Sequence, residues 1–161
     1  MLLDAIVHTL HVILASAWLG GIVFTTTVVS PALKSMGWDE AERARVRSVI
    51  GCQYAKVGSA NLILLMVLAL LEGALSGFGP ALYVEYALLA MLFGLVASHG
   101  VYFGRRLVEL AEARKEAGAS EKAQMLALRR RRLQRLSYWI SMLNILVSAA
   151  VLILAAYARL G

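Results

Sequence analysis

With Cys52 as its only cysteine, the chain can form neither an internal disulfide nor a multi-cysteine metal site. Charge is scarce as well: 16% of the 161 residues are charged, whereas 60% are hydrophobic. Soluble domains average about 25% charged and 45–50% apolar, so this composition points to lipid and leaves little chain for a separate soluble domain. Proline is confined to Pro31 and Pro80. The N-terminal lead has no Lys or Arg and carries Asp4. Its apolar run from Leu2 to Val29 is too long for a signal-peptide core, which predicts a retained first helix. No internal repeat is strong enough to claim.

What is present is four long apolar runs with a mean hydropathy of +0.73 for the whole chain. Spans are predicted over 5–29, closed by Ser30-Pro31, and over 57–75, closed by the turn-rich Ser76-Gly77-Phe78-Gly79-Pro80. Two more are predicted over 81–104 and 138–157. The expected fold is all-α: one integral-membrane four-helix bundle over 1–161. The net charge of +6 sits in two of the three links. The first holds Lys34, Arg43, Arg45, Arg47 and Lys56, and the third runs from Arg105 through Arg129 to Arg132 and Arg135. By the positive-inside rule those links face the cytoplasm and both termini face out, in a multi-pass protein of the inner (plasma) membrane. Good helix formers around a break at Gly118 predict a cytoplasmic helical hairpin over 105–136, with Ser120 as N-cap. Its arginine run suits anionic lipid headgroups. Nothing in it resembles a nucleic-acid motif.

Ionisable groups inside a span are costly and mark functional candidates. His8 and His11 are neighbours on one face of the first span, with Ala15, Trp18, Ile22 and Thr25 continuing the stripe from His11. Gly20 and Gly21 allow a helix or a flat cofactor to approach the backbone, helix packing being the commoner use. The second span aligns Tyr54, Asn61, Leu65, Leu68 and Glu72. The third aligns Glu85, His99 and Arg106, flanked by Tyr102 and Phe103. The fourth aligns Ser137, Ser141, Asn144 and Ser148. Depth sorts these into an outer layer (His8, His11, Glu72, Glu85) and an inner one (Tyr54, Asn61, His99, Asn144). His11 and His99 differ by roughly 15–20 Å along the membrane normal, so they do not clamp one haem within a monomer.

Three functions remain open. In the first, the chain is a small b-type cytochrome for electron transfer, with a haem-dependent oxidoreductase role and a quinol partner as extensions. His99 or His11 would ligate haem b, Arg105, Arg106 and Lys56 would hold propionates, and Tyr102 and Phe103 would pack on the ring edge. In the second, His8, His11, Glu72 and Glu85 handle a metal ion, copper or another divalent cation. In the third, the chain is a scaffold whose basic hairpin docks a partner. A four-helix bundle has few ways to enclose a large cofactor, and a homodimer is expected.

The stretch from His11 through Trp18-Leu19-Gly20-Gly21 to Phe24, followed by Val28-Val29-Ser30-Pro31-Ala32-Leu33, resembles the opening of small four-helix membrane proteins. These are the copper-resistance D-type domain and the transmembrane-205-like domain; Arg47 to Gly58 is similar to the second-helix entry of the latter. The resemblance covers the first two spans and implies a four-helix membrane fold and, from the D-type proteins, copper uptake. A looser likeness to the J-type protoporphyrinogen oxidase, which also opens with a histidine-bearing helix, implies haem b on His11. The third span has no lysine, which that enzyme is expected to carry there, and no Met-x-x-Met entrance for copper appears.

Overall fold

The computed structural model describes residues 2–118 and 120–157, apart from the side chains of residues 99–101. The described residues form helices and short connections, with no strand. The order is α1 (Leu2–Phe24), a π-helical turn (Thr25–Val29), α2 (Ser30–Ser35), α3 (Glu40–Ser76), α4 (Pro80–Ala97), a second π-helical turn (Ser98–Phe103), α5 (Gly104–Glu116) and α6 (Glu121–Tyr157). Among the described residues four helical segments are long and apolar enough to cross a membrane, so the chain is a multi-pass membrane protein.

Local chemistry sets the boundaries. Asp39 caps α3, its carboxylate accepting the Glu42 N–H at 2.8 Å, with Glu40 and Glu42 in the positive first turn. Gly77, at φ 95°, ends α3 in a conformation that side chains disfavour, and Pro80 opens α4 where its missing N–H costs nothing. Gly118, at φ 59°, turns the chain between α5 and α6, and the Ser120 hydroxyl accepts the Ala123 N–H at 3.3 Å.

One boundary differs from expectation. Ser30-Pro31 does not stop the first helix, which continues to Ser35. The π-helical turn is the reason: the Ser30 N–H reaches back to the Thr25 carbonyl, and this wider turn relieves the clash a proline ring makes in a regular α-helix. The basic first link is likewise short, because α3 already begins at Glu40.

At 37 residues each, α3 and α6 are about 55 Å long, so each projects roughly 25 Å beyond a hydrocarbon core about 30 Å thick. The projections pack with α5. Ion pairs Arg45–Glu112 (2.9 Å), Lys115–Asp39 (3.0 Å) and Arg114–Glu40 join α3 to α5, and Arg130 of α6 also pairs with Glu40. The exposed pairs are individually weak.

Within the spans α1 lies between α3 and α6, and α4 packs on α6 and α3. Leu10, Ile13, Ile63, Leu64, Val84, Leu146 and Ile153 face outward, where acyl chains solvate them. Lipid is as apolar as leucine, so close packing and interhelical hydrogen bonds must specify the bundle. The centre shows both. The Trp18 indole lies against Gly58, where a Cβ would stand 2.5 Å from Cζ3. Trp18 Nε1 donates to Ser148 Oγ at 2.9 Å. Asn61 Nδ2 donates to the Leu14 carbonyl at 3.1 Å, and the Tyr86 hydroxyl to that of Ala69 at 3.0 Å.

Candidate functional site

The buried stripe of α1 is Val7, His11, Ala15, Trp18 and Ile22, the three-and-four spacing of one helix face. His11 points along it into the bundle with 0% exposure. On α3 the stripe Leu65, Ala69, Glu72 delivers one carboxylate to the same depth, and on α4 the stripe Leu82, Glu85, Leu89 delivers another. His11 Nδ1 stands 2.8 Å from Glu72 Oε2, and His11 Nε2 stands 2.8 Å from Glu85 Oε1. The second contact is an ion-pair approach without hydrogen-bond alignment. His8 Nδ1 meets the other Glu72 oxygen at 2.9 Å.

The four groups form a chain, Glu85–His11–Glu72–His8. It leads from the fully enclosed Glu85 (1% exposed) to His8, whose side chain is 16% exposed. Beyond it, Ser76 Oγ donates to Asp4 Oδ1 at 2.9 Å, close to the α3–α4 turn. Each Nδ1 carries hydrogen when it faces a carboxylate oxygen. Nε2 of His11 then either carries a second hydrogen or takes one from the Glu85 carboxyl. Each carboxylate that is ionised in this water-poor site needs a balancing positive charge, because an unpaired buried charge costs several kcal/mol.

The sequence-predicted residues divide cleanly. His8, His11, Glu72 and Glu85 come together. Trp18 lies in the core between Gly58 and Ser148. Gly21 allows the approach of Tyr54, whose hydroxyl would be 2.8 Å from a Cβ there, whereas Gly20 faces open space. Tyr102, Arg105 and Arg106 are exposed, and Arg106 pairs with Glu109 of its own helix at 2.8 Å. The side chain of His99 lies outside the described residues.

A second feature went unforeseen. A cavity of about 470 Å³ opens at the basic end of the bundle, floored by Trp18, Ile22, Val96 and Phe103 and bordered by Lys34, Arg43, Arg47 and Arg130. Arg130 is only 6% exposed, although Arg129, Arg131 and Arg132 beside it point outward. A signal existed: Ser137 and Asn144 lie seven and fourteen residues beyond Arg130, so the polar stripe of α6 extends to it.

Haem b does not fit on His11 as placed, because carboxylates hold both ring nitrogens and an iron would have to displace one. No histidine is among the described residues lining the large cavity. A divalent cation fits the donor types better, since imidazole with carboxylate suits zinc or copper(II). The donors are nevertheless bonded to one another, and among the described residues no group of three or more is gathered to hold a metal ion.

Residues 13–116 match the model of a family described as a domain of unknown function, DUF4149. An uncharacterized protein of Aquifex aeolicus (strain VF5) is 28% identical over 156 residues, covering 94% of this chain and 92% of the relative. No solved structure matches.

Proposed function

The chain belongs to the DUF4149 family, and from the geometry of its buried cluster we propose that it exchanges protons for a divalent cation across a membrane. The observation that carries this reading is the placement of His11: fully enclosed, with its two ring nitrogens against carboxylates from two other helices. An imidazole so held takes a proton on one nitrogen and releases one from the other. Intramembrane histidine and carboxylate chains of this kind mark proton and ion pathways.

Charge balance supplies the coupling. With both histidines protonated and both glutamates ionised, the cluster is neutral. A divalent cation brings two positive charges, so its entry between the carboxylates is balanced when two protons leave. The two imidazoles, neutral after that loss, then become donors to the cation. In this reading, which follows the positive-inside rule, the α3–α5–α6 projection faces the cytoplasm of an inner (plasma) membrane, the cluster lies in the outer half, and His8 is the entry group.

The test is made in proteoliposomes holding an internal pH dye. Zinc or copper(II) added outside should drive proton movement in the wild type and little in His11→Ala or Glu85→Gln. Zinc titrated calorimetrically in two buffers of different ionisation enthalpy should release about two protons per ion. Absence of both cation binding and proton release, in a protein of native helicity, would leave the cluster a packing device. A Soret band lost in His11→Ala would instead restore the cytochrome reading.

A further inference from the structure

The exchange cluster does not use the basic-end cavity, which lies beyond a layer of leucines on the opposite side of Trp18. The cavity pairs an apolar floor with a cationic border. Of the charged side chains lining it, Lys34, Arg43, Arg47 and Arg130 are positive and only Glu40 is negative. Glu40 is already shared between Arg130 and Arg114, so its one charge answers two guanidinium groups. Arg130 is more than nine-tenths buried, and its Nε has no hydrogen-bond partner. A buried guanidinium donor left unsatisfied in a polar-walled cavity costs free energy unless something accepts from it.

We propose that this cavity binds one acidic phospholipid, its phosphodiester accepting from Arg130 and from the arginines of α3, and an acyl chain lying along Ile22, Val96 and Phe103 toward Trp18. The location suits that ligand. The cavity lining joins the basic side chains Lys34, Arg43, Arg47 and Arg130 to the apolar span residues Trp18, Ile22 and Val96, the combination that a headgroup with its acyl chain requires. Guanidinium forks match phosphate oxygens in geometry as well as charge. The exposed Arg129, Arg131 and Arg132 provide only the diffuse attraction that any basic surface has for an anionic leaflet. Arg130 supplies a defined donor.

Trp18 makes the site readable. It is 3% exposed and so shielded from bulk lipid, yet it lines the cavity. Trp38 and Trp139, the other two tryptophans, are replaced by phenylalanine to leave it as the sole emitter. The protein is reconstituted with phosphatidylglycerol or phosphatidylcholine brominated on the acyl chain, each diluted in the unlabelled lipid. The expected result is several-fold stronger, saturable quenching of Trp18 by the brominated phosphatidylglycerol, lost in Arg130→Gln and kept in Arg131→Gln. Retention of the preference in Arg130→Lys checks that Arg130→Gln acts through charge and not through unfolding, with far-UV circular dichroism alongside. Equal quenching by the two lipids, or an unchanged preference in a folded Arg130→Gln protein, would overturn the proposal. So would a saturable response of Trp18 to millimolar inorganic phosphate in phosphatidylcholine without any phosphatidylglycerol preference, which would assign the cavity to a free anion.

Discussion

Replacing His11 by alanine is the sharpest perturbation of the cluster, because it removes one ring and two contacts while leaving both carboxylates enclosed. Breaking a buried charged pair in a water-soluble protein costs about 3–5 kcal/mol. In membrane proteins the unfolded helices also find polar partners, and single polar contacts average about 0.6 kcal/mol with a maximum near 1.7. His11 makes two contacts, both to residues under 7% exposed, which together give about 1–3 kcal/mol, with the volume left by the ring adding to that. His8 makes one contact to Glu72 and is partly exposed, so His8→Ala should cost about 0.6 kcal/mol. The assay is reversible unfolding in mixed micelles at rising mole fraction of sodium dodecyl sulfate, followed by far-UV circular dichroism. A double-mutant cycle of His11→Ala with Glu85→Gln isolates the Nε2 contact and should show coupling of about 1 kcal/mol. If His11→Ala costs no more than His8→Ala, and the cycle is additive, the cluster is not the charged network described.

Gly58→Ala should destabilise by about 1–3 kcal/mol in the same assay, since its Cβ meets the Trp18 ring, and Trp18→Phe should recover part of the loss. Asp39 is held below the usual carboxylate range, first by the Glu42 N–H and then by Lys115. Its contribution is therefore full above the unfolded pKa and disappears as pH falls through the lowered folded value. Protection of the first-turn amides of α3, measured relative to the intrinsic exchange rate at each pH, should fall on moving from neutral pH to about pH 3, less so in Asp39→Asn. In a Cys52→Ser background, Gly79→Cys should react with an impermeant maleimide on intact cells, and Ser120→Cys only after permeabilisation; the reverse pattern would invert the topology.

Much of the bundle was readable because hydropathy and helix periodicity report the same physics that folds it. The stripe through His11, Ala15, Trp18 and Ile22 is the buried face of α1, and the break at Gly118 before Ser120 is where the projecting hairpin turns. The grouping of His8, His11, Glu72 and Glu85 by depth also matches their placement. What periodicity could not supply was azimuth between helices. It takes the bundle to show that Glu72 bridges both histidines while Glu85 closes on the far nitrogen of His11. Pro31 was misleading because a π-helical turn absorbs it, a compensation with no composition signal. Arg130 was hidden in a run of four arginines read together as a headgroup-binding group, and Arg105, Arg106 and Tyr102, expected near the cytoplasmic surface to hold propionates and the ring edge, are exposed.

The reading of the cluster as an exchanger also requires a seal, and a buried apolar layer next to the cluster could serve as one. From Glu72 toward the basic end, α3 presents Ala69, Leu65 and Leu62 before reaching Gly58, and from Glu85 α4 presents Leu89 and Leu92. These five aliphatic side chains are 0% exposed. With Ala15 and Trp18 of α1 they form an apolar layer about 10 Å deep, by the rise from His11 to Trp18, between the cluster and the cavity. The polar side chains at this depth are tied into the bundle, Asn61 to the Leu14 carbonyl and Trp18 to Ser148, and the partly open member of the cluster is His8, on the side of the α3–α4 turn. Leu65→Ala should open a void in that layer, with a stability cost of about 2–5 kcal/mol by analogy with soluble cores. In proteoliposomes it should raise passive proton leak above wild type, whereas Leu64→Ala, on the lipid-facing side, should not. Equal leak in the two variants would mean that protons do not reach the cluster by this route, and exchange through the bundle centre would fall with it.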